Sequence, residues 1–217
     1  MTREIRQAQI SVRALTKTYR HGENTVVAVD NAHLDVAAGE FLIITGRSGS
    51  GKTTLLSLMG RLTQPSTGTI SIDGVDLLKL DDAALSHLRA RKIGFIFQFA
   101  SLLPTLTVLE NVRLPGLFTD HPVASHRAAE LLKLVGLGDK LAYYPPQLSG
   151  GQRRRVAVAR ALINQPEILL ADEPTGDLDV ETEAEILELF RSFNGHGMTI
   201  ILVTHNPNLT TLGNRLF

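Results

Sequence analysis

Residues 46–53 read GRSGSGKT, and this spacing of glycines, lysine and hydroxyl fits G-x-x-x-x-G-K-[ST]. The chemistry it serves is phosphate binding. Gly46, Gly49 and Gly51 permit backbone angles that a side chain forbids, so the loop can turn its N–H groups inward around an anion. Arg47, Ser48 and Ser50 complete the loop, and Thr54 follows it as a further contact. Lys52 supplies a mobile positive charge for the β- and γ-phosphates of a nucleotide. The Thr53 hydroxyl is suited to binding Mg2+, and a helix opening near Lys52 adds the positive end of its dipole.

Two further stretches could complete such a site. ILLADE at 168–173 is an apolar strand ending in two carboxylates, at the end of an open sheet where ligands bind. Asp172 suits the outer shell of Mg2+, and Glu173 could polarise an attacking water as general base. Taken alone, the pair reads equally well as an acidic turn after a buried strand. The third stretch is LSGGQ at 148–152. Ser149 is placed to cap a helix whose glycines, Gly150 and Gly151, leave backbone N–H groups open, with Gln152 next in line. That makes a second anion site, and one nucleotide on one chain hardly needs two γ-phosphate cradles. A two-fold homodimer resolves the surplus, each copy offering 149–152 to the other's phosphate loop.

These residues need a scaffold that brings distant segments together. Apolar runs at 41–45, 69–72, 93–97, 167–171 and 199–204 read as strands, with helical patterns at 81–91 and 181–193 between them. The alternation predicts an α/β core with a mostly parallel sheet. Residues 10–15 and 26–36 read as short strands of a small antiparallel β subdomain, with Gly22 in the turn between them. From about 104 to 165 there is no strand pattern; prolines punctuate helical stretches at 125–137 and 150–162. The expectation is a single domain over 1–217. Its nucleotide-binding core covers 1–97 and 166–217, and a helical subdomain covers 98–165.

Composition narrows the classes. The 217 residues carry 22 Lys+Arg and 22 Asp+Glu, so no overall charge calls for a nucleic-acid partner. There is no cysteine, which removes disulfides, thiolate metal sites and a Cys nucleophile. The longest apolar runs, FLII and IILV, are far too short to span a bilayer, so no direct membrane insertion is expected. The first residues are polar and show no secretory signal. The run Arg153, Arg154, Arg155 sits near a helix N-terminus, where cations are mildly unfavourable, and reads as a solvated face.

With its motifs in this order, the chain resembles the ATP-binding subunit of ABC transporters from about residue 10 to 207. The resemblance implies a P-loop ATPase using ATP and Mg2+. It implies that Tyr19 stacks on adenine and that Gln98 senses Mg2+ and the attacking water. Within TGDLD (175–179), Asp179 matches the usual aspartate of a loop crossing the dimer interface, and His205 matches the histidine that contacts the γ-phosphate. The stretch 95–115, FIFQFASLLPTLTVLENVRLP, resembles the lipoprotein-release and macrolide-export branch. That branch implies a separate integral membrane permease docking on this surface, and a place at the cytoplasmic face of the inner membrane. Leu102, Leu103, Leu106, Val108 and Leu109 give the surface apolar character, although most of them read as core. A cell-division type of ABC ATPase, signalling through its membrane partner without transport, is the rival. Two departures stand out: Asp177 where the branch often has asparagine, and an end at Phe217 where relatives continue through further strands, which NRLF could begin.

Overall fold

The computed structural model describes residues 8–22, 24–119, 125–176 and 178–217. Asp177 therefore lies outside the described residues, and its effect on closure has no structural account.

The chain opens with a long antiparallel hairpin, β1 (Ala8–His21) and β2 (Asn24–Ala37), which turns at Gly22. Both strands run well past the expected 10–15 and 26–36. The extra residues are mostly polar and, Gln9 apart, half-buried or exposed, so no apolar alternation announces them in the sequence. β3 (Phe41–Thr45) ends in the phosphate loop, and α1 (Lys52–Met59) leaves it. β4 (Thr67–Ile72) pairs with β1, and the two-residue β5 (Val75–Asp76) completes a four-stranded antiparallel sheet ordered β2-β1-β4-β5. Then come α2 (Asp82–Lys92) and β6 (Ile93–Ile96).

Helices dominate the next seventy residues: α3 (Val108–Arg113), a 3-10 turn at Leu114–Phe118, α4 (Ser125–Leu134) and α5 (Gly150–Ala161). Among the described residues no strand lies between β6 and β7. The core resumes with β7 (Ile168–Asp172), α6 (Val180–Gly195), β8 (Thr199–Thr204) and β9 (Arg215–Leu216). β9 is the strand that NRLF suggested; it pairs parallel with β3.

The second sheet is parallel, ordered β6-β7-β8-β3-β9. Every residue of β7 and β8 is buried, as expected of central strands covered on both faces. One face packs against α3, α4, α5 and α6 through Phe41, Ile96, Val112, Leu132, Val158 and Phe190. The other packs against α1 and the antiparallel sheet through Leu42, Leu58, Met59, Ile70 and Ile201. α5 sits so close to β6 that a Cβ on Gly94 would stand 2.5 Å from the Ala161 carbonyl oxygen. This order matters for chemistry. The loop 46–53, Gln98, the pair Asp172–Glu173 and His205 all follow the carboxyl ends of strands in one sheet, where a ligand crevice forms.

Candidate functional site

A cavity of about 430 Å³ opens at that end of the sheet, lined by residues 48–54, Gln98, Asp172, Glu173, Val203 and His205. On its far side lie Val26, Val27 and Ala28 of β2. The phosphate loop is shaped by this contact. Gly51 has φ +90, and a Cβ there would lie 1.9 Å from the Ala28 carbonyl oxygen, so only glycine lets the hairpin close over the loop. Gly51 is also the N-cap of α1 and offers no side-chain acceptor, which leaves the first helical N–H groups to a ligand. Lys52 folds back on its own loop, donating from Nζ to the carbonyls of Gly46 (2.8 Å) and Arg47 (2.9 Å).

Opposite the loop stand the two carboxylates. Asp172 is buried, and burial is the main reason its carboxyl is held above the ordinary aspartate range; the Glu173 charge adds to this, while the Thr53 hydroxyl and Lys52 oppose it. Its Oδ1 is buried with no hydrogen-bond partner. A buried carboxylate oxygen left in this state beside a threonine hydroxyl fits a hydrated divalent cation. Among the described residues no group of three or more His, Asp or Glu could hold a metal by itself. The fit is therefore to Mg2+ shared with phosphates, which needs few protein ligands.

Glu173 is the first residue past β7 and takes φ +46, a left-handed conformation costing a non-glycine residue roughly 1–2 kcal/mol. A backbone bond from its N–H to the Val203 carbonyl (2.9 Å) holds it there. The twist turns the carboxylate toward β8. Oε1 lies 2.6 Å from Nδ1 of His205, and Oε2 accepts from the Thr204 hydroxyl at 3.2 Å. In a bond between Nδ1 and a carboxylate oxygen the imidazole nitrogen is the donor. The carboxylate is 14% exposed, while the imidazole, at 71%, faces solvent. A second opening of about 330 Å³ flanks the same pair, lined also by Thr175, Gly176, Leu178, Glu183 and Pro207.

The structure thus gathers the loop, Gln98, Asp172, Glu173 and His205 in one place. It does not bring the 149–152 stretch there. Ser149 caps α5, accepting from the Gln152 N–H (3.2 Å), and the Gln152 side chain accepts from the Ser149 N–H (3.0 Å). Ser149 and Gly150 are exposed, Gly151 approaches Leu178, and none of the four lines either cavity. Asp179 caps α6, with its carboxylate accepting from the Thr182 N–H (2.9 Å) and hydroxyl (2.8 Å); these bonds hold its pKa below the ordinary range. Tyr19 stands across the hairpin from Val26, with Lys17 Nζ 4.8 Å from its ring centroid. Val26 lines the cavity and Tyr19 does not.

Sequence reasoning missed Val26, Val27, Ala28 and Thr204. No chemistry marks the first three; only the hairpin's fold over Gly51 brings them in. The arginine run is a correction. Arg154 is buried, and Arg153 and Arg155 are half-buried, each donating to a backbone carbonyl. A cationic run at a helix start looks solvated until the carbonyls that surround it are known.

Comparison with known proteins decides the family. The sequence profile described as ABC transporter matches residues 29–176. The chain belongs to the ABC transporter family. It is an ATP-binding subunit of the type found in lipoprotein-releasing and macrolide-export systems. It is 50% identical to an uncharacterised ABC transporter ATP-binding protein of Thermotoga maritima, over 91% of this chain and 85% of that one. It is 44% identical to the lipoprotein-releasing system ATP-binding protein LolD of Shewanella oneidensis, over 92% and 88%. With the macrolide export ATP-binding/permease protein MacB of Rhodopirellula baltica it shares 43% identity, but spans only 31% of that longer protein. Among solved structures, the dimeric post-hydrolysis state of the ATP-binding cassette MJ0796, bound to ADP and Pi, superposes with a TM-score of 0.91. It shares 43% identity and covers 95% of this ABC chain and 92% of the other. Among the described residues no helix is long and apolar enough to cross a membrane.

Proposed function

We propose that this ABC subunit hydrolyses ATP as a nucleotide-sandwiched homodimer and drives a separate membrane permease. The observation that carries the reading is the convergence of Lys52, Asp172, Glu173 and His205 on one cavity, while the exposed N-terminus of α5 has no phosphate to face within its own chain. A second copy related by a two-fold axis supplies that phosphate, and the dimeric state of the MJ0796 structures supports this arrangement.

In this mechanism the N–H groups at the start of α1, with Lys52, bind the β- and γ-phosphates. Thr53 and Asp172, with Gln98 beside them, would hold Mg2+, which when bound neutralises phosphate charge. The N-terminus of α5 in the other copy, with Ser149, Gly150 and Gly151, faces the γ-phosphate and stabilises the closed pair. Asp179 lies at the seam. Tyr19 stacks on adenine after Lys17 leaves its ring. Thr204 and His205 hold the Glu173 carboxylate in one orientation against an attacking water. Glu173 takes a proton from that water as its oxygen bonds to the γ-phosphorus and the bond to ADP breaks. Loss of the shared γ-phosphate reopens the dimer.

The coupling surface is the face after β6. Phe99 is 77% exposed and Leu117 73%; Leu103 and Phe118 are exposed beside them. A groove of about 350 Å³ lined by Leu62, Phe95, Phe97, Leu114 and Phe118 runs along this face. Such an apolar patch marks a docking site, here for a cytoplasmic helix of the permease. The subunit sits peripherally on the cytoplasmic side of the inner membrane. The likeness to LolD and MacB supports export or extraction of a lipoprotein, peptide or drug.

The test is Glu173→Gln. It is expected to bind ATP, to release phosphate at least about a hundredfold more slowly, and to run as a dimer in light scattering when ATP-loaded. Turnover at the unaltered rate, or ATP-loaded protein that stays monomeric, overturns the mechanism.

A further inference from the structure

Three consecutive arginines of α5 point in three directions. Arg153 donates to the Leu148 carbonyl (2.6 Å) just outside its own helix, and Arg155 to the Val135 carbonyl (3.2 Å) after α4. Arg154 is different. It is 7% exposed and reaches two separate segments at once. Nη1 donates to the carbonyls of Gln98 and, at 3.4 Å, of Phe97; Nη2 donates to the carbonyl of Gly176 at 3.0 Å. Gly176 is tied to the residue that precedes it by three, because its N–H donates to the Glu173 carbonyl at 3.2 Å. One guanidinium therefore joins the backbone of Gln98 to the turn that follows Glu173.

Arg160, on the same helix, extends the grip along the loop after β6. It donates to the carbonyls of Ser101 and Ala100, both at 2.8 Å. Unlike Arg154, its contacts do not reach the turn after Glu173. A guanidinium is planar and rigid, with its donors in a fixed fork, so carbonyls held by its two Nη atoms keep a set spacing. Burial makes the arrangement stiff, since a buried cation that loses an acceptor is left with unmet donors.

We propose that Arg154 is a positioning residue for hydrolysis, setting Gln98 against Glu173 so that a shift of α5 or of the loop after β6 is transmitted to the base. This rests on Glu173 being that base. A misplacement of about 1 Å in such a pair can cost two orders of magnitude in rate while leaving substrate binding alone.

The test compares full-length Arg154→Gln, Arg154→Lys, Arg160→Gln and Glu173→Gln by steady-state phosphate release, ATP titration and thermal melting. Arg154→Gln is expected to lower kcat by about tenfold or more with KM for ATP within about twofold. Arg154→Lys keeps the charge but has no fork, so it recovers folding stability without recovering kcat. Arg160→Gln lowers kcat less than Arg154→Gln does, because its carbonyls do not touch the segment of Glu173. If Arg154→Gln melts below the assay temperature, Arg154→Lys carries the comparison. Unaltered kcat in the folded Arg154 variants, with Glu173→Gln slow, overturns the role of Arg154 alone. So does a fall in kcat matched by an equal loss of ATP affinity, which is the mark of general damage. Normal turnover by Glu173→Gln removes the base and this proposal together.

Discussion

The molecule carries two glycine-flanked helix starts, and they are finished in opposite ways. α1 begins after Gly51, which offers no cap, inside a cavity faced by two carboxylates and a lysine. α5 begins after Ser149, whose reciprocal bonds with Gln152 brace the first turn while the N–H groups of Gly150 and Gly151 stay open, and it stands in solvent. Leaving donors open is costly unless a ligand meets them, so α1 belongs to a site that is filled in use. A capped start is stable alone and can wait exposed until a second surface arrives. Under the proposed mechanism, nucleotide binding falls to the first end and partner-dependent closure to the second.

That contrast can be broken by substitution, and the largest effect is expected at the first helix. Lys52→Ala removes the loop cation assigned to the β- and γ-phosphates and should weaken ATP binding by about 3 kcal/mol, more than a hundredfold in Kd by calorimetry. Affinity within a few-fold of the parent would mean that this helix start is not the nucleotide site. Gly151→Asp places a negative charge at the exposed start of α5. It should lower kcat about a hundredfold yet leave ATP affinity of the separate subunit within about twofold, measured by phosphate release and titration side by side. Equal losses in both would erase the distinction between the two ends. Gly51→Ala should cost about 2 kcal/mol or more in denaturant unfolding, because its methyl group meets the Ala28 carbonyl at a positive φ. The smallest effect belongs to Ser149→Ala: losing the cap should cost about 1 kcal/mol, a shift of a few degrees in melting. A larger fall would show that Ser149 supports more than its own helix.

Much of this arrangement is legible before any coordinates. β3 and β8 span the residues read as 41–45 and 199–204, because strands buried on both faces are unbroken apolar runs. The Ser149 cap follows from residue types alone, and the short strand at Arg215–Leu216 from the family resemblance. The hairpin extension, β5 and the buried Asn111 were not legible. Asn111 binds the Leu103 N–H and the carbonyls of Leu103, Leu106 and Thr107, pinning the turn before α3, and nothing in an apolar stretch announces a lone amide holding a loop. Of the leucines in this stretch, Leu102 and Leu109 pack against the core while Leu103 stays exposed, so one apolar pattern divided between core and docking face.

The sequence by itself determined which groups could do chemistry: a glycine loop with Lys52 and Thr53, a strand ending in Asp172 and Glu173, a capped glycine start at Ser149. These are local, set by residue type and by spacing within a turn. Only the tertiary structure decided what stands together. The parallel order of the strands puts His205 on Glu173, the close approach of β2 to Gly51 brings valines to the nucleotide cavity, and burial turns Arg154 from an apparent surface charge into a link between two loops. Such contacts join residues tens of positions apart, and their strength depends on exclusion of water, which no stretch of sequence encodes on its own.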